Sequence, residues 1–291
     1  MKRRGKFSVF TMVVVLAFAS AQAIDRAGSS GEYLALGDSV VFGFIDQAGY
    51  EYFYPTNFVG YPDWTSLTLG LNTSNASCPG ETTGSFLSST APDNGCHAYR
   101  RQFPLHVVYS SFLSPQISFA TGFLRRHSDT ALVTIMLGAN DLFLLEQQCN
   151  DDPTCIEQGL PQVLAMAEAN MQASLAALRA TGYTGAIVVV NYYSLDYSNQ
   201  FVTQVTMALN QAITAPAPAF GAVVADVFSA FQAAASNPFA GGNTCAAGLL
   251  NASNPPTSPP SCDVHPSQSG HKLIAQVVAA AGQSPHSRQG N

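Results

Sequence analysis

The chain has 291 residues, and only 10% of them are charged, against about 25% in typical soluble domains. Its 12 Lys+Arg face 18 Asp+Glu for a formal net charge of −6; setting aside Lys2, Arg3, Arg4 and Lys6 leaves 8 against 18, a balance of −10, with Lys272 the sole remaining lysine. That balance argues against a nucleic-acid partner, because phosphate binding depends on clustered Lys and Arg.

The four basic residues at the start precede an apolar run from Phe7 to Phe18 and then Ala21-Gln22-Ala23, the order of parts in a secretory signal peptide. The run is shorter than the roughly 20 residues a bilayer span needs, and no later stretch is long and apolar enough to replace it. A retained membrane anchor is the weaker alternative. Cleavage after Ala23 leaves 268 residues (291 − 23), expected to form a single domain over 24–291 in a secreted or periplasmic protein. The Pro- and Ser-rich stretch from Asn251 to Ser261 is read as a surface loop within it.

The first strand is expected at Tyr33 to Leu36. It runs into Gly37-Asp38-Ser39, which places a serine hydroxyl at the carboxyl end of a buried element. From Val41 to Trp64 the chain is rich in Phe, Tyr and Gly, suited either to lining an acyl or aryl pocket or to packing aromatics onto the body. A helix at Asp63 to Leu69 and a short strand near Leu71 to Asn75 lead to Cys78-Pro79-Gly80-Glu81-Thr82-Thr83.

A helix at Gln116 to Arg126 and a strand at Ala131 to Leu137 precede Gly138-Ala139-Asn140-Asp141. Next come a helix at Leu160 to Ala180, the punctuating Gly182 and Gly185, and strands at Ala186 to Asn191 and Ala222 to Asp226 with a helix at Val202 to Thr214 between them. The last three strands are nearly continuous in apolar residues, as strands buried on both faces of a parallel sheet are. Strands alternating with helices give the α/β class, a sheet flanked by helices. Near the end, Asp263-Val264-His265-Pro266 is followed by Ser267 as the expected cap of a last helix, so His265 is expected on a loop.

All six cysteines follow the signal and fall into three local pairs: Cys78 with Cys96, Cys149 with Cys155, and Cys245 with Cys262. Six cysteines allow 15 connectivities, so the pairing rests on proximity, and export favours disulfides. Zinc is the rival reading, without a C-x-x-C pair or clustered His to support it; no metal or organic cofactor is expected.

A serine hydroxyl needs a base within about 3 Å to become a nucleophile. Among six histidines, His265 is preferred for its neighbours Asp263 and Pro266. Attack on a carbonyl creates an oxyanion that needs preset donors: Gly80 offers an unobstructed backbone N–H, Asn140 a carboxamide, and Ser39 its own N–H. Asp38 and Asp141 are read as structural, bonding nearby backbone.

Taken in order, Ser39, Gly80, Asn140 and His265 resemble the Ser-Gly-Asn-His (SGNH, or GDSL-type) hydrolase family from Tyr33 to about Ala281. The resemblance implies a three-layer α/β/α sandwich with a mainly parallel, flavodoxin-like sheet. It implies ester hydrolysis through an acyl-enzyme, with Ser39 attacking, His265 as base then acid, and Gly80 and Asn140 in the oxyanion hole. One departure is visible: the family's acid usually stands three residues before the histidine, where this chain has Cys262. Asp263, two residues before, can reach the same ring, since residues i and i+2 of an extended segment share a side; a main-chain carbonyl is the alternative. Within the family's chemistry the choices are a general esterase or lipase, a carbohydrate O-acetylesterase, and an acyltransferase. Outside it stands a cell-envelope binding protein with a dead site.

Overall fold

A computed structural model describes residues 31–253 and 261–283. The signal segment with its cleavage site, and most of the Pro- and Ser-rich loop, lie outside the described residues. Five strands form one sheet: β1 (Glu32–Gly37), β2 (Asn72–Asn75), β3 (Thr130–Met136), β4 (Ala186–Val190) and β5 (Val223–Ala225). Their order is β2-β1-β3-β4-β5, and every neighbouring pair is parallel. The apolar runs explain this arrangement. Tyr33 to Leu36 and all of β4 are buried, which requires cover on both faces of the sheet.

Ten helices are described in chain order: α1 (Ser39–Phe42), α2 (Tyr61–Leu69), α3 (Thr83–Leu87), α4 (Cys96–Gln102), α5 (Gln116–Arg126), α6 (Ala139–Cys149), α7 (Pro153–Arg179), α8 (Gln200–Thr214), α9 (Val227–Ala235) and α10 (Gln268–Gly282). Helices α2, α9 and α10 pack together on one face of the sheet, while α5, α7 and α8 cover the other. The three-layer α/β/α expectation therefore holds. Strand order reverses direction between β1 and β3, and in open α/β sheets ligands bind at the carboxyl ends of strands beside such a reversal.

Several boundaries moved for local reasons. Helix α7 starts at Pro153, ahead of the expected Leu160, because Asp152 caps it by accepting from the Cys155 N–H at 2.8 Å. The strand expected to reach Asp226 ends at Ala225, since the Asp226 carboxylate accepts from the Ser229 N–H at 3.1 Å and opens α9. His265 is not on a loop. It lies on β7 (Cys262–Pro266), which pairs antiparallel with β6 (Leu250–Ala252) in a separate two-stranded sheet. Proline's bias toward extended backbone in the residue before it suits a strand as well as a loop. Ser267 then caps α10 as expected, accepting from the Gly270 N–H at 3.3 Å.

The aromatic segment forms a small core of its own. Phe42 and Phe58 cluster with Tyr99 of α4, and Phe44, Tyr52 and Phe103 pack against them. Of the rings between Val41 and Trp64, only Phe44 lines the spaces around Ser39 described below. Packing the body is thus the main work of this segment.

Candidate active site

The end of β1 is a forced turn. Gly37 has φ 148°, and a Cβ there would stand 2.3 Å from the Met136 carbonyl oxygen, so glycine is required. The buried Gln116 carboxamide grips this turn from both sides: its Oε1 accepts from the Gly37 N–H at 2.7 Å and its Nε2 donates to the Gly37 carbonyl at 3.0 Å. Asp38 then caps α1, accepting from the Val40 N–H at 2.9 Å. Ser39 follows as the first residue of that helix.

Gly80 also has a positive φ, 84°, and a Cβ on it would lie 2.3 Å from the Asn94 carbonyl oxygen. A substituted residue could not hold its N–H in that place. The surrounding loop is fastened by the Cys78–Cys96 disulfide and by the Cys78 N–H donating to the Gly37 carbonyl at 3.0 Å. Asn140 sits in the first turn of α6 just beyond β3. Its Nδ2 donates to the Glu81 carbonyl at 3.0 Å, and its Oδ1 accepts from Asn94 Nδ2 at 2.9 Å. This fixes which end of the carboxamide carries the donors. The other contact of Nδ2, to Asp38 Oδ2, is long at 3.5 Å and leaves a proton available to a nearer acceptor.

On β7 the side chains of Asp263 and His265 share a side, as alternate strand residues do. His265 Nε2 stands 3.0 Å from Ser39 Oγ, and its Nδ1 stands 3.1 Å from Asp263 Oδ1. Asp263 Oδ1 also accepts from the His265 backbone N–H at 2.5 Å, while Oδ2 accepts from the Asp46 N–H at 3.3 Å. Phe44 meets the imidazole edge-on at 5.1 Å between centroids. Tyr193 Oη donates to the Val264 carbonyl at 2.6 Å. Ser39, Gly80, Asn140 and His265 all line one cleft.

The two flanking acids bond backbone as expected and also reach further across the fold. Asp38 does bond the nearby Val40, but it also accepts from Tyr192 Oη at 2.5 Å, and Tyr192 is itself held through its backbone N–H and carbonyl by Asn210 at 2.8 and 2.7 Å. Burial pushes the Asp38 carboxyl up to about 6, against the pull of Tyr192, Val40 and His265. Asp141 reaches across the fold, accepting from Thr83 N–H at 2.9 Å and Thr83 Oγ1 at 2.6 Å. Glu81 was not singled out by sequence. It is buried, accepts from Ser85 Oγ at 2.5 Å and Gln116 Nε2 at 3.0 Å, and burial raises its carboxyl to about 7. Tyr192, Asn94 and Gln116 likewise carry no sequence signal, being common residues far from the motifs they serve.

The cysteines pair as proximity suggested, Cys78–Cys96, Cys149–Cys155 and Cys245–Cys262. Among the described residues one cluster has metal-ligand spacing, Cys78, Glu81 and Cys96, but its two sulfurs are bonded to each other.

Fold and geometry together define an α/β protein with a serine, a histidine and an aspartate in line at the carboxyl edge of a parallel sheet. The family model for the GDSL-like lipase/acylhydrolase family matches residues 35–273, and the chain belongs to that family. No curated protein sequence gives a significant match. Among solved structures, phospholipase A1 from Streptomyces albidoflavus superposes with a TM-score of 0.58 at 17% identity, over 87% of this chain and 100% of that one. An alpha/beta hydrolase from the metagenome of Lake Arreo, Spain, gives 0.54 at 14% identity, over 87% and 95%. An acetylxylan esterase from Geobacillus stearothermophilus gives 0.52 at 16%, over 90% and 98%. At these identities the likeness is one of fold.

Proposed function

We propose that residues 24–291 form a single exported serine hydrolase domain that cleaves carboxylic esters through an acyl-enzyme. The observation that carries this reading is the 3.0 Å separation of His265 Nε2 from Ser39 Oγ, within the reach a general base needs. As Oγ attacks the carbonyl carbon, Nε2 takes the hydroxyl proton, and Asp263 stabilises the imidazolium that results. The backbone N–H groups of Ser39 and Gly80 and the Asn140 carboxamide meet the developing oxyanion. Collapse of the tetrahedral intermediate breaks the ester C–O bond, and Nε2 returns the proton to the departing alcohol. Water, deprotonated by the same nitrogen, then frees the acid and restores Ser39.

Export is supported by three disulfides, and among the described residues no helix is long and apolar enough to cross a membrane. A binding protein with a dead site has no use for a donor set and a base aligned on one hydroxyl. An apolar cavity of about 130 Å³ opens beside Ser39, lined by Leu142, Phe143, Leu195, Val205 and Leu209 among others. It favours an acyl group longer than acetyl over an O-acetyl ester, because each buried methylene is worth about 0.8 kcal/mol. The test is a chromogenic ester series from acetyl to long acyl on the wild type and Ser39→Ala. The expected outcome is an optimum above acetyl that the substitution abolishes; activity surviving in Ser39→Ala would exclude the mechanism.

A further inference from the structure

Three carboxamides stand in a row at the wall of the cleft that holds Ser39. The outermost, Gln147 of α6, is exposed; Asn94 is half-buried and Asn140 is buried. Gln147 Nε2 donates to Asn94 Oδ1 at 2.8 Å, Asn94 Nδ2 to Asn140 Oδ1 at 2.9 Å, and Asn140 Nδ2 to the Glu81 carbonyl at 3.0 Å. The last contact sets the direction of the whole row. A main-chain carbonyl can only accept, so Asn140 presents nitrogen to Glu81 and oxygen to Asn94. Asn94 then presents nitrogen to Asn140, which turns its own oxygen toward Gln147.

The backbone of Asn94 is tied to a second candidate oxyanion donor. Its N–H donates to the Gly80 carbonyl at 2.8 Å, and its carbonyl oxygen is the atom a Cβ on Gly80 would meet. The loop around it is itself held: Thr82 Oγ1 donates to the Pro92 carbonyl at 2.8 Å, the Gly95 N–H donates to Asp93 Oδ1 at 2.7 Å, and Cys96 is bonded to Cys78. One residue thus touches both Gly80 and Asn140, and no step of the mechanism above uses it.

We infer that Asn94, backed by Gln147, is a positioning residue for ester cleavage: it holds the Asn140 carboxamide in the plane that aims its second Nδ2 hydrogen at the carbonyl oxygen of the ester Ser39 attacks. The inference rests on the ester-hydrolase reading above. A planar amide held at one end swivels about that contact; held at both ends, it keeps its plane. A donor fixed before the reaction costs no reorganisation as charge develops. Amides bonded head to tail also polarise one another, and Gln147, in contact with water, contributes least.

The experiment is a double-mutant cycle on p-nitrophenyl butanoate, with Asn94→Leu and Asn94→Ala each made in the wild type and in Asn140→Ala. Both substitutions are uncharged and keep the backbone N–H that bonds Gly80; Leu keeps the side-chain volume and Ala does not. Each should lower kcat about tenfold, less than the roughly 10² to 10³ lost with a whole oxyanion donor. KM should stay within about threefold, because the oxyanion is absent from the ground state. In Asn140→Ala either substitution should cost less than about threefold, since a residue acting through Asn140 has nothing left to position. A loss that persists in that background, a loss under about threefold in the wild type, or an effect mainly on KM would each overturn the inference. So would a loss in Asn94→Ala that Asn94→Leu spares, the mark of packing alone. If neither variant folds by circular dichroism, Gln147→Ala carries the same cycle from an exposed side chain. Its expected loss is about twofold to fivefold, vanishing in Asn140→Ala; a Gln147→Ala enzyme equal to the wild type would then overturn the inference. Ser39→Ala separates the two readings. Activity that survives it removes the hydrolase mechanism and the inference with it, whereas an inactive Ser39→Ala beside unaffected Asn94 variants removes the inference alone.

Discussion

The nucleophile and the base are held by scaffolds of very different strength. Ser39 leaves a central strand hydrogen-bonded on both sides, with Tyr33 to Leu36 fully buried and the following turn clamped by Gln116. His265 and Asp263 stand on a short hairpin strand outside the main sheet, and their side chains keep 12% and 17% of their exposure. That strand is fixed at separate points: the Cys245–Cys262 disulfide, Tyr193 Oη on the Val264 carbonyl, the Asp46 N–H on Asp263, and the ring of Phe44 against the imidazole. The oxyanion groups go with the strong side. The lesson is that chemistry and stability are separable on the β7 side and entangled on the β1 side.

His265→Ala is the sharpest way to test that separation. Turnover should fall by about 10⁴ or more, as when a triad base is removed, while the melting temperature stays near that of the wild type. Asp263→Asn should come next, a loss of about 10² to 10⁴ in kcat, again with little change in melting. A loss below tenfold would show that a main-chain carbonyl orients the imidazole instead.

Asn140→Ala probes the other side. It should cost about 10² to 10³ in kcat and also lower the melting temperature, because the Glu81 carbonyl and Asn94 Nδ2 lose their partner in a buried setting. An unchanged melting temperature would break the comparison. Smaller still is the effect of mild reduction. Cys78 and Cys96 are fully buried, whereas Cys245 and Cys262 are partly exposed and Cys155 is exposed, so the hairpin bond, like Cys149–Cys155, should open before Cys78–Cys96. Turnover should then fall several-fold before any unfolding is seen by circular dichroism; full activity with that bond open by mass analysis would refute the tethering role.

A further effect is one of pH on stability. Glu81 has its carboxyl raised by burial from 4.5 to about 7, so the folded state binds more protons than the unfolded one across that interval. Stability therefore declines as pH rises through it, by on the order of 3 kcal/mol from this group. Buried neutral His271, held down to about 3, acts in the opposite sense as pH falls below its ordinary value. The comparison that isolates Glu81 is with Glu81→Gln. The variant should gain on the wild type between pH 4.5 and 7, and parallel melting curves across that range would reject the assignment.

The sequence by itself determined the class of fold and the four blocks of the candidate site. Continuous apolar runs such as Ala186 to Val190 suit a strand covered on both faces, and motifs such as Gly37-Asp38-Ser39 and Gly138-Ala139-Asn140-Asp141 are contiguous in the chain. These are local patterns, and they are written locally. Tertiary structure alone decided that His265 sits on a hairpin strand, that Asp141 also reaches Thr83, and that the apolar cavity is built from α6, α8 and the segment after β4 instead of the aromatic stretch after α1. Tyr192, Gln116 and Asn94 matter through partners 154, 79 and 46 residues away. Hydrogen bonds and cavities between distant segments depend on which elements the sheet order brings side by side, and no spacing along the chain records that.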